Sequence, residues 1–125
     1  GYCTYIYKSL NKNGKLLIRS PNYNNIYRAL LSHHYDSYDI RSSHYYYFNE
    51  KSFLKLLVKS GFKNKKIKLD FFNEYDFDNL LKWMIHKKIN KDHLNIIIIK
   101  TFNNSYHDYL RKSKLSNCLA FTAVK

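Results

Sequence analysis

The stretch from His44 to Phe62, HYYYFNEKSFLKLLVKSGF, writes out a helix whose start, inward face and stop are all set by local chemistry. Asn49 stands at the N-cap, where its side-chain oxygen can accept from the free N–H groups of the first turn. Phe48 then falls at N′ and Phe53 at N4, the spacing of a hydrophobic staple that fixes the angle at which the chain enters the helix. The pattern predicts a helix over 50–60, with Phe53, Leu56, Leu57 and Ser60 toward a core and Lys51, Lys55 and Lys59 toward water. Gly61 closes it, because a left-handed residue is least strained without a Cβ, and Phe62 can fold back onto Leu57.

Upstream, Lys15 to Ser20 reads as a short buried strand that Pro21 stops, and Asn22 can cap a helix over 23–32 that carries Ile26, Tyr27, Leu30 and Leu31. Tyr2 to Leu10 forms an earlier helix, ended by the turn NKNG. Downstream, residues 65–72 alternate, with Ile67, Leu69 and Phe71 on one face and Lys66, Lys68 and Asp70 on the other, which is the period of a strand. Apolar residues then recur at 77, 80, 81, 84 and 85 and predict an amphipathic helix over 78–88, with Asp76 or Asp78 as its cap. Trp83 lies at its edge, either packed in a core or lying over a pocket. Residues 93–112 admit two readings. The run Ile96 to Ile99 alone suits a buried strand, whereas Leu94, Ile98, Phe102, Tyr106 and Tyr109 follow a helical stripe. Length and the capping Asp92 favour the helix. Cys118 to Val124 is the last strand.

A chain of 125 residues is read as one domain over 1–125, able to bury about 65% of its unfolded surface. Its net charge is +13, yet only four of the 22 basic residues are arginine, scattered among 14 asparagines and 13 tyrosines. Such charge supports salt-sensitive phosphate binding without sequence readout, so a basic module for nucleic acid or another polyanion is a standing alternative. Cys3 and Cys118 have no paired spacing, which fits a reduced, cytoplasmic protein. No segment reads as a signal peptide, and the longest aliphatic run is too short to span a membrane. The sole methionine is Met84, so the chain either lost an initiator before Gly1 or begins inside a longer protein.

The order of strand, Pro-Asn, helix, polar loop, His-aromatic-x-x-Phe, capped helix ending Gly-Phe, and strand resembles the second half of class I S-adenosylmethionine-dependent methyltransferases. The small-molecule members carry H-L-x-x-F-[ST]-x-x-S-L-x-x-L-L-x-x-x-G-F. Here His44, Tyr45, Phe48, Asn49, Ser52, Phe53, Leu56, Leu57, Gly61 and Phe62 fill those slots without a gap, with Asn49 as a cap exchange and Phe53 in place of leucine. The preceding YKSLNKNGKLLIRSPN is similar to the family's L-K-P-G-G-x-L-x-I-x-x-P-N, with Pro and one Gly replaced. The likeness covers roughly residues 5–72.

The resemblance implies an α/β chain with a partial Rossmann-like methyltransferase fold. Its three-stranded mixed sheet would use strands at about 15–20, 65–72 and 118–124, with helices at about 2–10, 23–32, 50–60, 78–88 and 93–112. The last strand would be the antiparallel one inserted between the other two. The complete protein would move a methyl group from S-adenosylmethionine to a small-molecule acceptor, and this chain would be the carboxyl-terminal, substrate-side half. In the family a glycine-rich loop and an acidic residue in the first half hold the cofactor. With Gly1, Gly14 and Gly61 its only glycines, this chain has no G-x-G, so the fragment alone is expected to be inactive and to bind cofactor poorly.

On that reading Asn22, just past a strand's carboxyl end, lies where open α/β sheets place ligands. The polar loop HHYDSYDIRSSH (33–44) adds His34, Tyr35 and Arg41 as substrate contacts and His44 as general base or hydrogen bonder, since imidazole titrates near neutrality. His44 could equally tie the loop to backbone. His33, His34, Asp36, Asp39 and His44 together could hold a metal, although adjacent histidines point different ways on a helix end. A third reading is a non-catalytic methyltransferase-like scaffold. Under the first, missing strands leave an open sheet edge beside 15–20 that invites self-association.

Overall fold

The capped helix forms as its residues dictate. A computed structural model of the protein describes residues 1–40, 46–86 and 97–125. In it α1 spans Tyr2–Ser9, β1 Lys15–Pro21, α2 Ile26–Leu31, α3 His33–Asp39 and α4 Glu50–Lys59. A 3-10 turn over Asn64–Lys66 leads into β2 at Ile67–Phe72, followed by α5 at Phe77–His86, α6 at Ile97–Lys112 and β3 at Cys118–Val124. At the start of α4 the Asn49 side chain accepts from the Ser52 N–H at 2.9 Å, and the Asn49 N–H donates to Ser52 Oγ at 3.0 Å. These reciprocal bonds satisfy two otherwise free donors. The Phe48 and Phe53 rings stack with centroids 4.6 Å apart, completing the staple. At the far end Gly61 has φ +117, and the N–H groups of Gly61 and Phe62 donate to Val58 and Leu57 carbonyls. That pair of bonds is the Schellman stop.

The strand order is β1-β3-β2, and both ladders are antiparallel. Strands β1 and β2 therefore run in one direction, with β3 reversed between them. Register brings Ile18 and Leu69 to either side of Phe121, and Leu16 and Ile67 to either side of Ala123. Because side chains alternate along a strand, this places one apolar face toward α1 and α4. Phe53, Leu57, Phe62, Phe71, Leu119 and Phe121 make the core there. A second cluster gathers Tyr27, Tyr35, Leu80 and Trp83 from α2, α3 and α5, so Trp83 is a core residue.

Several boundaries differ from the sequence reading. Strand β1 is an edge, not a buried strand: β3 occupies one side, and Leu17 is 73% exposed. The helix expected over 23–32 begins at Ile26, because Asn25 and not Asn22 caps it, accepting from the Arg28 N–H at 3.1 Å. Residues 33–39, read as loop, are helical after a break at Ser32, whose φ is +48. On α6 the inward face carries Tyr106 and Leu110, while Phe102 and Tyr109 of the expected stripe are exposed. Tyr106 of the stripe faces inward as expected, whereas Tyr109 is left at the surface and its neighbour Leu110 takes the core position. The expected residues 87–88 and 93–96 lie outside the described residues. Among the described residues no helix is long and apolar enough to cross a membrane.

Candidate functional site

The carboxyl ends of β1 and β2 meet the amino end of β3 at Cys118, which pairs with Pro21 on one side and Phe72 on the other. Asparagines lock the loops that leave this junction. The Asn22 amide donates to the carbonyls of Asn24, Lys114 and Ser116, and its oxygen accepts from the Asn24 N–H. Asn25 Nδ2 donates to the Asn22 carbonyl at 2.7 Å. Farther along, the Glu74 N–H donates to Asn117 Oδ1 and the Asn117 N–H to Asn73 Oδ1, both at 2.9 Å. Buried amides of this kind hold backbone that no ladder can reach.

Above this floor lies a cleft of about 160 Å³. Tyr35, Tyr38 and Asp39 of α3 form one wall, Glu74 and Tyr75 after β2 another, and Pro21, Asn117 and Cys118 the base. Helix α3 is held in place by Arg28 of α2. Its Nε donates to Asp36 Oδ1 at 2.5 Å, its Nη2 to Asp39 Oδ2 at 2.9 Å and its Nη1 to the Tyr23 carbonyl at 2.6 Å. The same guanidinium lies over the Tyr23 ring, 4.2 Å from the centroid. Burial works against its charge, but the two carboxylates outweigh that and raise its pKa, so it stays a cation. The Tyr47 hydroxyl donates to the Asp39 carbonyl and closes the end of α3. Across the cleft Glu74 pairs with Arg19, whose guanidinium covers the Phe72 ring at 4.7 Å.

Burial, reinforced by Asp39, pushes the Tyr35 phenol well above its ordinary range, and burial likewise raises the Cys118 thiol. Both are therefore neutral at ordinary pH. In that form they offer hydrogen-bonding or contact surface.

Of the residues singled out from sequence, Tyr35 lies in this cleft. Asn22 is 1% exposed, its amide committed to the loop carbonyls, and His34 stands on the exposed side of α3 with its ring 4.5 Å from that of His33. Arg41 and His44 lie outside the described residues. Asp36 and Asp39, considered as metal ligands, hold Arg28 instead, and no group of three or more metal-binding side chains occurs among the described residues. Glu74, Tyr75, Asn117 and Cys118 were not anticipated as site residues.

A larger cavity of about 650 Å³ opens on the other side of β1, between the start of α1 and α4, with Ile18, Phe48, Phe53 and Leu56 among its lining. The glycines serve turns: a Cβ on Gly61 would meet the Tyr7 ring at 2.7 Å, and one on Gly14 the Asn11 carbonyl at 2.9 Å.

Among solved structures, the crystal structure of a SAM-dependent methyltransferase from Archaeoglobus fulgidus matches this chain with a TM-score of 0.53 at 19% sequence identity. The match covers 98% of this chain and 50% of that one. The chain has a methyltransferase-like fold. It spans half the length of the solved methyltransferase that it matches. No protein-family model matches the sequence, and no curated protein matches it. The methyltransferase-like fold accounts for the reversed strand β3 between two co-directional neighbours, the arrangement that the family resemblance implied.

Proposed function

We propose that this chain is the carboxyl-terminal, acceptor-side half of an S-adenosylmethionine-dependent methyltransferase domain acting on a small molecule. The observation that carries the reading is a strand order of β1-β3-β2 in a fold that matches half of a SAM-dependent methyltransferase along 98% of its own length. Methyl transfer from a sulfonium asks mainly for alignment of donor and acceptor, so a wall that fixes the acceptor is a sufficient contribution from this half. That wall is the cleft at the carboxyl ends of β1 and β2, the end of an α/β sheet where ligands bind. His44 and Arg41, in the segment that follows α3, remain proposed contributors, with His44 as the base for an acceptor that must lose a proton.

The test compares this chain with a longer protein that includes the coding sequence upstream of Gly1. The longer protein is expected to bind S-adenosylmethionine and to transfer its labelled methyl group, whereas the 125-residue chain does neither. Micromolar cofactor binding by the short chain in a calorimetric titration would overturn the division of labour. An upstream sequence without a glycine-rich loop and acidic partner would favour the scaffold reading.

A second reading draws on the exposed lysines Lys51, Lys55 and Lys59, which line the outer side of α4 in a chain of net charge +13. Retention on a polyanion column that falls steeply with salt supports a nucleic-acid or polyanion role.

A further inference from the structure

We propose that the cleft between α3 and the loop after β2 is a subsite for a small organic cation, an amine in its protonated form. Sign is the first argument. The protein carries net charge +13, yet the cleft is lined by two carboxylates, Asp39 and Glu74, with no lysine, arginine or histidine among its described lining. Arg28 faces both Asp36 and Asp39, which leaves one negative charge in surplus, and it lines a separate cleft with Tyr23 and Ala29. Arg19 and Glu74 balance each other. Among the described residues the field in the cleft is therefore negative, which turns away anions and draws in cations.

Aromatic lining is the second argument. Three of the eight lining residues are tyrosines, Tyr35, Tyr38 and Tyr75, and ring faces attract ammonium groups through their quadrupole. The Tyr35 phenol stays neutral, so it adds no charge of its own. Size is the third, since about 160 Å³ admits a small ammonium and excludes a nucleotide. The place of this subsite in a reaction rests on the methyltransferase reading, under which the bound ammonium first gives a proton to water, its freed lone pair then takes the methyl group, and the sulfonium leaves as the neutral thioether; the binding itself does not.

Trp83 is the sole tryptophan, and its ring lies 5.7 Å from Tyr35 and 5.2 Å from Tyr38, so its emission reports on the cleft. Tetramethylammonium and propylamine at neutral pH are expected to change that emission saturably, while acetate and uncharged tert-butanol do not. Glu74→Gln and Tyr38→Leu, each checked for an unchanged thermal melt, are expected to weaken tetramethylammonium binding about fivefold. An equal response to tert-butanol, no response to either cation, or unchanged affinity in both folded variants overturns the proposal. In the longer protein, cation binding without any methyl transfer sinks the methyltransferase reading alone. Methyl transfer confined to a carboxylate or phenol acceptor sinks the amine assignment alone.

Discussion

Gly61 and Asn22 show how much single side chains decide. At Gly61 the backbone sits at φ +117 and the Tyr7 ring occupies the space a Cβ would take. Gly61→Ala is expected to lower stability by about 1–3 kcal/mol, read as a drop in melting temperature. Asn22 is smaller in prominence but not in effect, for its amide serves three carbonyls on two loops. Asn22→Ala leaves those carbonyls unsatisfied next to the cleft and is expected to cost at least about 2 kcal/mol in a denaturant titration. The buried tyrosines set an alkaline limit. Burial pushes Tyr106 up to about 12 from an ordinary value near 10, and raises Tyr27 and Tyr35 as well. The folded state thus keeps protons that the unfolded chain gives up, so their contribution is complete below about pH 10 and is lost as pH rises beyond it. The last part of the tyrosinate absorbance, from the buried rings, and the loss of helical circular dichroism are expected to appear together above that point. Titration of all the tyrosines without unfolding would contradict the burial.

At the scale of elements, α4 was readable because every determinant lies within it or at most three residues away. Its cap, staple and stop are contacts between residues at most five apart, and Asn49→Ala is expected to cost about 1 kcal/mol in thermal melts. Helix α3 was not readable for the opposite reason. Its sequence HHYDSYD has two aromatic residues in seven and no local cap, since Ser32 makes no side-chain bond to it. What holds it is Arg28 of the preceding helix, bonded to Asp36 and Asp39. The cleft was legible only where it drew on α3, through Tyr35. Glu74, Asn117 and Cys118 reach it through the register that sets Cys118 between Pro21 and Phe72, and no spacing along the chain announces that meeting.

The whole molecule has one apolar sheet face well covered and two edges, the outer sides of β1 and β2, unpaired among the described residues. On β1 the exposed Leu17 stands beside the larger cavity's Ile18, an arrangement that invites another strand. Sedimentation at rising concentration is expected to show self-association, reduced by Leu17→Lys, which adds charge at an exposed position without disturbing the core. A monomer throughout the range would count against an incomplete sheet. Overall class and the place of β3 were visible from sequence because they rest on period and on family pattern, which survive many substitutions. The inward line at the end of α6 was not, because Tyr109 and Leu110 both read as apolar and only packing chooses between them.

The position of β3 also orders events in time. Strands β1 and β2 never touch each other; each is joined only to residues 118–124, made after both. During synthesis the first two strands can collapse against α1 and α4, but no ladder can close until the third arrives. Contacts as distant as Lys15 with Val124 then form at once, which makes for a slow, cooperative final step. Until that step, both outer strands present bare hydrogen-bonding edges to any neighbouring chain.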